Sequence, residues 1–135
     1  MVNKTILNID DSRFDRQIVT QILHKAGFDV IEACDGHDAL KKMQAHGRRI
    51  DLIISDVVMP NLDGISFCQT LKQGYSDIPI ILCTAENHND LKPQGEASGC
   101  AEWLNKPFNP RKLLRAIRYQ FQLESDSNQH GNMAS

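Results

Sequence analysis

Three aspartates offer the most chemistry in this sequence. Asp10 and Asp11 close the first apolar run, Lys4–Ile9, and Asp56 follows the third, Asp51–Ser55. If these runs are neighbouring parallel strands, all three carboxylates crowd one edge of the sheet. Like charges about 4 Å apart repel by roughly 4 kcal/mol at an effective dielectric near 20. Such a cluster persists only if a cation offsets it, usually a divalent metal or a lysine. The expected site is therefore an acidic edge that holds a cation.

The elements that would position these acids alternate in period. Lys4–Ile9 is short and apolar, which predicts a strand. Ser12–Ala26 reads as a helix with Ser12 at its N-cap, an apolar stripe of Phe14, Ile18 and Ile22 beside Val19 and Leu23, and Gly27 just past its end. Strand Asp29–Ala33, helix His37–His46, strand Asp51–Ser55, helix Ile65–Gln73 and strand Pro79–Thr84 follow. Glu86–Ser98 should be a helix, but Pro93 and Gly95 predict a short, kinked or frayed one. Trp103–Asn105 reads as a fifth strand. A last helix begins at Pro110 and runs to about Leu123, with Leu113, Leu114, Ile117 and Phe121 inward. The polar stretch 124–135 reads as a disordered tail or a linker, outside a single domain spanning 1–123. Strands alternating with helices imply an α/β, doubly wound parallel sheet whose functional crevice lies beyond the strand C-termini. Asp10, Asp11, Asp56 and Thr84 all fall there.

Composition narrows the function classes. A formal net charge of −2 over 135 residues argues against a chain-wide nucleic-acid or membrane footprint. Four scattered cysteines without a CxxC read as reduced, mostly buried thiols, which suits a cytoplasmic protein. The histidines show no zinc spacing, no segment reaches membrane-spanning length, and no signal-peptide pattern opens the chain.

Asp10–Asp11, Asp56 with Met59–Pro60 and Asp63–Gly64, Thr84–Ala85 and Lys106–Pro107–Phe108 occur in this order at four predicted strand ends. In this the chain, from about Lys4 to Leu123, resembles the receiver domain of two-component response regulators. The resemblance implies a five-stranded flavodoxin-like sheet of order 2-1-3-4-5 with five helices. It implies Mg²⁺ held by Asp10, Asp11, Asp56 and the Val58 carbonyl, with Asp10 acting through water. It implies that Asp56 accepts a phosphoryl group from a histidine kinase or phosphotransfer protein, with Lys106 and Thr84 contacting the phosphoryl oxygens. Thr84 and Trp103 would relay the change to a surface on helix four, strand five and helix five, which contacts a downstream target, an output domain or a second copy. Val58 and Glu86 would tune the lifetime of the phosphoryl bond. The family members act as switches rather than as enzymes on outside substrates.

Other readings are open to these residues. Asp10 could cap the first helix, Lys106 could be a solvated loop residue, and Trp103 could belong to the core. The basic residues Arg111, Lys112, Arg115 and Arg118 could form a docking face or simply a solvated one; DNA binding through them is not expected without a helix-turn-helix. A dehalogenase-type phosphatase needs an Asp-x-Asp that Ile9–Asp10–Asp11–Ser12 does not supply. A flavin or nucleotide binder needs a phosphate loop that Ser12–Arg16, lacking glycine, does not supply. A receiver fragment of a longer regulator, or a pseudo-receiver working by contacts alone, remains compatible with the same motifs.

Overall fold

The strand-like runs are apolar on both sides, so they can be satisfied only in a sheet covered on both faces. A computed structural model describes residues 3–74 and 76–134, and of residues 48 and 127–134 the backbone alone; residues 1, 2, 75 and 135 lie outside the described residues. The strands are β1 (Thr5–Ile9), β2 (Asp29–Ala33), β3 (Leu52–Asp56), β4 (Ile80–Ala85) and β5 (Glu102–Lys106). All neighbours are parallel, in the order β2-β1-β3-β4-β5. The helices are α1 (Arg13–Lys25), α2 (Gly36–His46), α3 (Gly64–Gln73), α4 (Lys92–Ala97) and α5 (Pro110–Ala134).

Alternate residues of a strand point to opposite faces, and two cores result. Leu7, Ile9, Ile53 and Leu82 meet Ala39 of α2 and Ile65, Phe67 and Cys68 of α3 on one face. Ile6, Leu52, Ile54 and Ile81 meet Val19 and Leu23 of α1 and Leu113 and Ile117 of α5 on the other. Each fully buried aliphatic side chain contributes about 1.5–3 kcal/mol relative to exposure. Among the described residues no helix is long and apolar enough to cross a membrane.

Three helices start beside the strand C-termini, each with a side-chain cap. Ser12 Oγ accepts from the Asp15 amide at 3.2 Å, Asp35 Oδ1 from the Asp38 amide at 2.7 Å, and Asp63 Oδ1 from the Ser66 amide at 2.8 Å. Such caps are worth about 1 kcal/mol each and fix where the site loops end. The loop after β3 is pinned more tightly. Gly64 N–H donates to the Val57 carbonyl at 2.9 Å, and a Cβ on Gly64 would overlap the Asp56 carbonyl oxygen and lie 3.1 Å from Ser55 Oγ. Gly64→Ala is therefore expected to cost about 2 kcal/mol in urea denaturation, as overpacking against backbone does. A loss under about 0.5 kcal/mol would mean that the loop lifts off β3 freely.

The structure revises parts of the sequence reading. The α1 stripe divides: Val19 and Leu23 are buried, but Phe14 is 72% and Ile18 41% exposed. Helical spacing placed them on one side, but only Val19 and Leu23, with Ile22 partly buried, pack into the core on this face. Cys68 and Cys83 are buried, whereas Cys34 is exposed and Cys100 half-buried, all four as free thiols. The segment after β4 is interrupted as expected, with a 3-10 stretch Glu86–Leu91, a non-helical His88 (φ −109°, ψ 16°) and only then the short α4. Helix α5 does not end near Leu123 but continues to Ala134. Polarity alone does not stop a helix, and the Gln122 amide donates to Asp126 Oδ1 at 3.1 Å across one turn.

Candidate functional site

Asp10 follows β1 directly, and Asp56 is the last residue of β3. Pairing of Ile9 with Ser55 in the two adjacent strands sets their side chains together. Carboxylate oxygens of Asp10, Asp11 and Asp56 lie within 4.8 Å of one another. Asp10 is buried, Asp56 half-buried and Asp11 exposed, so the cluster opens to solvent on one side. The expected convergence is present.

The cation is Lys106, the last residue of β5. From two strands away it reaches across the end of β4. Its Nζ lies 2.8 Å from Asp10 Oδ2, 3.3 Å from Asp56 Oδ2 and 3.8 Å from Asp15 Oδ2. Asp10 also caps the loop, its Oδ1 accepting from the Ser12 amide at 3.0 Å. The N-cap of α1 is Ser12 itself, so Asp10 braces the loop before the helix rather than capping the helix, while its other oxygen serves the charge cluster. Thr84 is buried near the end of β4, in the strand between Asp56 and Lys106. Val58 is 46% exposed, in the loop after β3, and Glu86 is exposed at the start of the 3-10 stretch after β4. Trp103 lies on β5, half-buried, its indole N–H donating to Asn89 Oδ1 at 3.1 Å.

The electrostatics follow from this packing. Burial pushes the Asp56 carboxyl up to about 6; Lys106 opposes the rise and the Asp10 charge adds to it. Burial works to lower the Lys106 pKa, but the hydrogen bond to Asp10 and the charges of Asp56 and Asp10 outweigh it and hold the ammonium above its usual range. Asp56 thus holds a proton more tightly than an ordinary aspartate, beside a lysine whose neighbours favour its charged form.

Sequence reading missed three participants. Asp15, in the first turn of α1, contributes to the Lys106 environment. Arg16 donates to the Asp10 carbonyl at 2.7 Å and pairs with Glu32 at 2.9 Å, tying α1 to the β1 terminus and to β2. Asn89 joins Trp103 and Asn105. The helical position of Asp15 and Arg16, one turn after Asp11 and Ser12, was the available signal for the first two. Asn89 had none, because its partners are remote in sequence.

Residues 6–118 match the family model for the response regulator receiver domain. The chain belongs to this family. The receiver domain is 36% identical over 134 residues to the alkaline phosphatase synthesis transcriptional regulatory protein PhoP of Bacillus subtilis, covering 97% of this chain and 55% of that protein. It is 34% identical over 113 residues to the chemotaxis protein CheY of Bacillus subtilis, covering 83% of this chain and 92% of that one. A solved structure of Vibrio cholerae chemotaxis protein CheY4 superposes with a TM-score of 0.79 at 39% identity, over 87% of this chain and 98% of that one. The chain spans about half the length of the first curated relatives it matches, PhoP among them. Receiver domains are signalling switches, and the strand order found here is theirs.

Receiver domains typically bind Mg²⁺ at an acidic pocket, and the donor set here suits that ion. Three carboxylates offer hard oxygens in reach of one another, on an open side where waters can complete the shell. Among the described residues, no histidine or cysteine joins the three acids.

Proposed function

We propose that this receiver domain is a phosphorylation-activated switch whose acceptor is Asp56. The observation that carries this reading is Lys106 Nζ bridging Asp10 Oδ2 and Asp56 Oδ2 at 2.8 and 3.3 Å. It places a fixed cation beside a nucleophile-capable carboxylate at the functional edge of the sheet. Asp10, Asp11, Asp56 and the Val58 carbonyl would hold Mg²⁺. Bound there, the ion supplies charge neutralisation for a phosphoryl group. One Asp56 oxygen attacks phosphorus of a phosphohistidine; the P–N bond breaks, the electron pair stays on the imidazole, which takes up a proton, and an aspartyl phosphate forms. Lys106 shifts from the free carboxylate to the phosphoryl oxygens as a point charge. The Thr84 hydroxyl donates to one of these oxygens.

The donor is a histidine kinase or phosphotransfer protein. Lys106 borders a groove of about 490 Å³ lined by Asp15, Ile18, Ala85, Pro107 and Phe108. Exposed Phe14 and Ile18 extend the apolar surface of α1. A phosphohistidine must come within bonding distance of Asp56, so its carrier has to dock on this rim. We read the exposed α1 residues as its footing. Val58 and Glu86, both exposed, set water access to the phosphoryl group and so its lifetime.

Output runs through Thr84 and Trp103 to α4, β5 and α5. On α5, exposed Arg111, Arg115, Arg118 and Tyr119 line a shallow depression of about 550 Å³, a docking or dimer face for an acidic partner. Residues 1–123 form the switching unit, and the polar residues from 124 link it to what it controls, a separate target or an output domain of a longer regulator. The site's compartment is the cytoplasm, where kinases and Mg²⁺ are available. The unit acts only on its own phosphoryl group, accepting it and later losing it to water.

Intact mass after incubation with Mg²⁺ and acetyl phosphate tests the assignment. The parent should gain one labile phosphoryl group and Asp56→Asn none. An adduct of equal amount in Asp56→Asn would move the acceptor elsewhere; no adduct from acetyl phosphate or from a phosphorylated kinase would leave a domain that signals by contact alone.

A further inference from the structure

Trp103 is held at two points. Its indole N–H donates to Asn89 Oδ1 at 3.1 Å, and the same oxygen accepts from Asn105 Nδ2 at 2.8 Å. Asn105 Nδ2 also reaches the Thr84 carbonyl at 3.3 Å. One side-chain oxygen in the stretch between β4 and α4 thus gathers two residues from the same face of β5 and, through Asn105, the backbone of Thr84. At its other edge the indole rests on α4. A Cβ on Gly95 would stand 2.5 Å from Trp103 Cζ3 and 2.7 Å from Cε3, so only glycine leaves room for the ring.

These contacts suit tryptophan in particular. Indole is a donor with no acceptor function, and when partly buried it needs an acceptor in a fixed direction. Phenylalanine would leave the Asn89 oxygen to Asn105 alone. Asn89 lies one residue after His88, where the 3-10 stretch loses helical geometry (φ −109°, ψ 16°). The bond therefore ties the least regular piece of the 86–97 segment to the sheet. If Trp103 turns toward Thr84, the Asn89 bond must break and the Gly95 seat must empty, freeing this segment in the same event.

We propose that Asn89 is a positioning residue, a latch that holds Trp103 seated on Gly95 and biases the domain toward its unphosphorylated arrangement. The inference rests on the switch reading above, and it adds the residue that sets the resting bias. Asn89 is exposed and caps no helix, so its replacement should leave the fold intact. Its effect is on an equilibrium between two arrangements, by about the weight of one ordinary hydrogen bond.

The test uses the full 135-residue chain, whose single tryptophan makes emission report this site alone. Without phosphodonor, Asn89→Ala should lower the acrylamide quenching constant of Trp103 about twofold as the released ring turns toward buried Thr84, and amides of residues 86–97 should exchange faster. Asn89→Asp keeps an accepting oxygen and should behave as the parent. Gly95→Ala, with Asn89 intact, should shift the emission by unseating the ring. With Mg²⁺ and acetyl phosphate, Asn89→Ala should reach half-maximal phosphorylation at about threefold lower donor concentration. Quenching in Asn89→Ala equal to the parent's, or Asn89→Asp behaving like Asn89→Ala, would overturn the latch. Absence of any phosphoryl adduct in the parent would overturn the switch reading and the bias with it, while the quenching comparison, needing no phosphate, still decides whether Asn89 holds the ring.

Discussion

Asp56→Asn is expected to make the metal-free protein more stable at pH 7 while removing its capacity to take up phosphate. The reason is the proton. The folded Asp56 carboxyl titrates at about 6, raised mainly by burial and further by Asp10. An unfolded aspartate titrates near 3.9. The folded state therefore binds this proton more tightly than the unfolded state. Its favourable contribution is full below about pH 4 and is lost as the pH rises to about 6. A two-unit shift would correspond to about 3 kcal/mol. The carboxyl keeps some contact with water, so about 1–2 kcal/mol is the expected size. In urea denaturation with chelator, the parent should lose this amount relative to Asp56→Asn between pH 4 and 7. Magnesium should reverse the order at pH 7, because it binds the native parent and not its asparagine variant as tightly. Parallel pH profiles for the two proteins would show that Asp56 is not strained by its surroundings. A melting temperature indifferent to millimolar Mg²⁺ would argue against the metal site.

The second large effect belongs to Lys106. Its ammonium is the only cation among the described residues placed against both Asp10 and Asp56. Lys106→Ala leaves two partly buried carboxylates facing each other. Removing one partner of such a group is far more damaging than its net worth suggests, because the charge left behind stays unpaired. Near pH 7 the expected cost is about 2–3 kcal/mol, shrinking as the pH falls and Asp56 takes a proton. The double variant Lys106→Ala, Asp56→Asn should recover most of it, since one carboxylate of the facing pair is then gone. Phosphoryl uptake with saturating Mg²⁺ should fall by about 10²-fold in Lys106→Ala, the usual scale for removing one preorganised charge. If uptake were unchanged, Lys106 would be a structural counterion to Asp10 only. If stability were unchanged, the two carboxylates would be apart in solution.

Much of this molecule could be read from its residues in order. Apolar runs such as 52–54 and 80–83 suit central strands, and their alternation with amphipathic stretches leaves a covered parallel sheet. Strand C-termini then fall at Asp10, Asp56, Thr84 and Lys106, so local periodicity also told where the polar edge would be. Pro93 and Gly95 foretold the broken fourth helix, because backbone sterics act over one turn of chain.

What local pattern could not decide was which face of an amphipathic helix the sheet would cover, and which long side chains would cross it. Phe14 and Ile18 have the spacing of core residues but are exposed. Lys106 has nothing in its neighbours to distinguish it from a solvated lysine; its role comes from lying 2.8 Å from a residue 96 positions earlier. Asn89, Trp103 and Asn105 likewise meet only because α4 packs on β5 with Gly95 against the indole. The sequence alone thus determined the sheet, its polar edge and the three acids. The tertiary structure alone decided the cation, the exposed apolar rim and the tryptophan's clamp, because burial and charge pairing depend on distances in space that no local periodicity encodes.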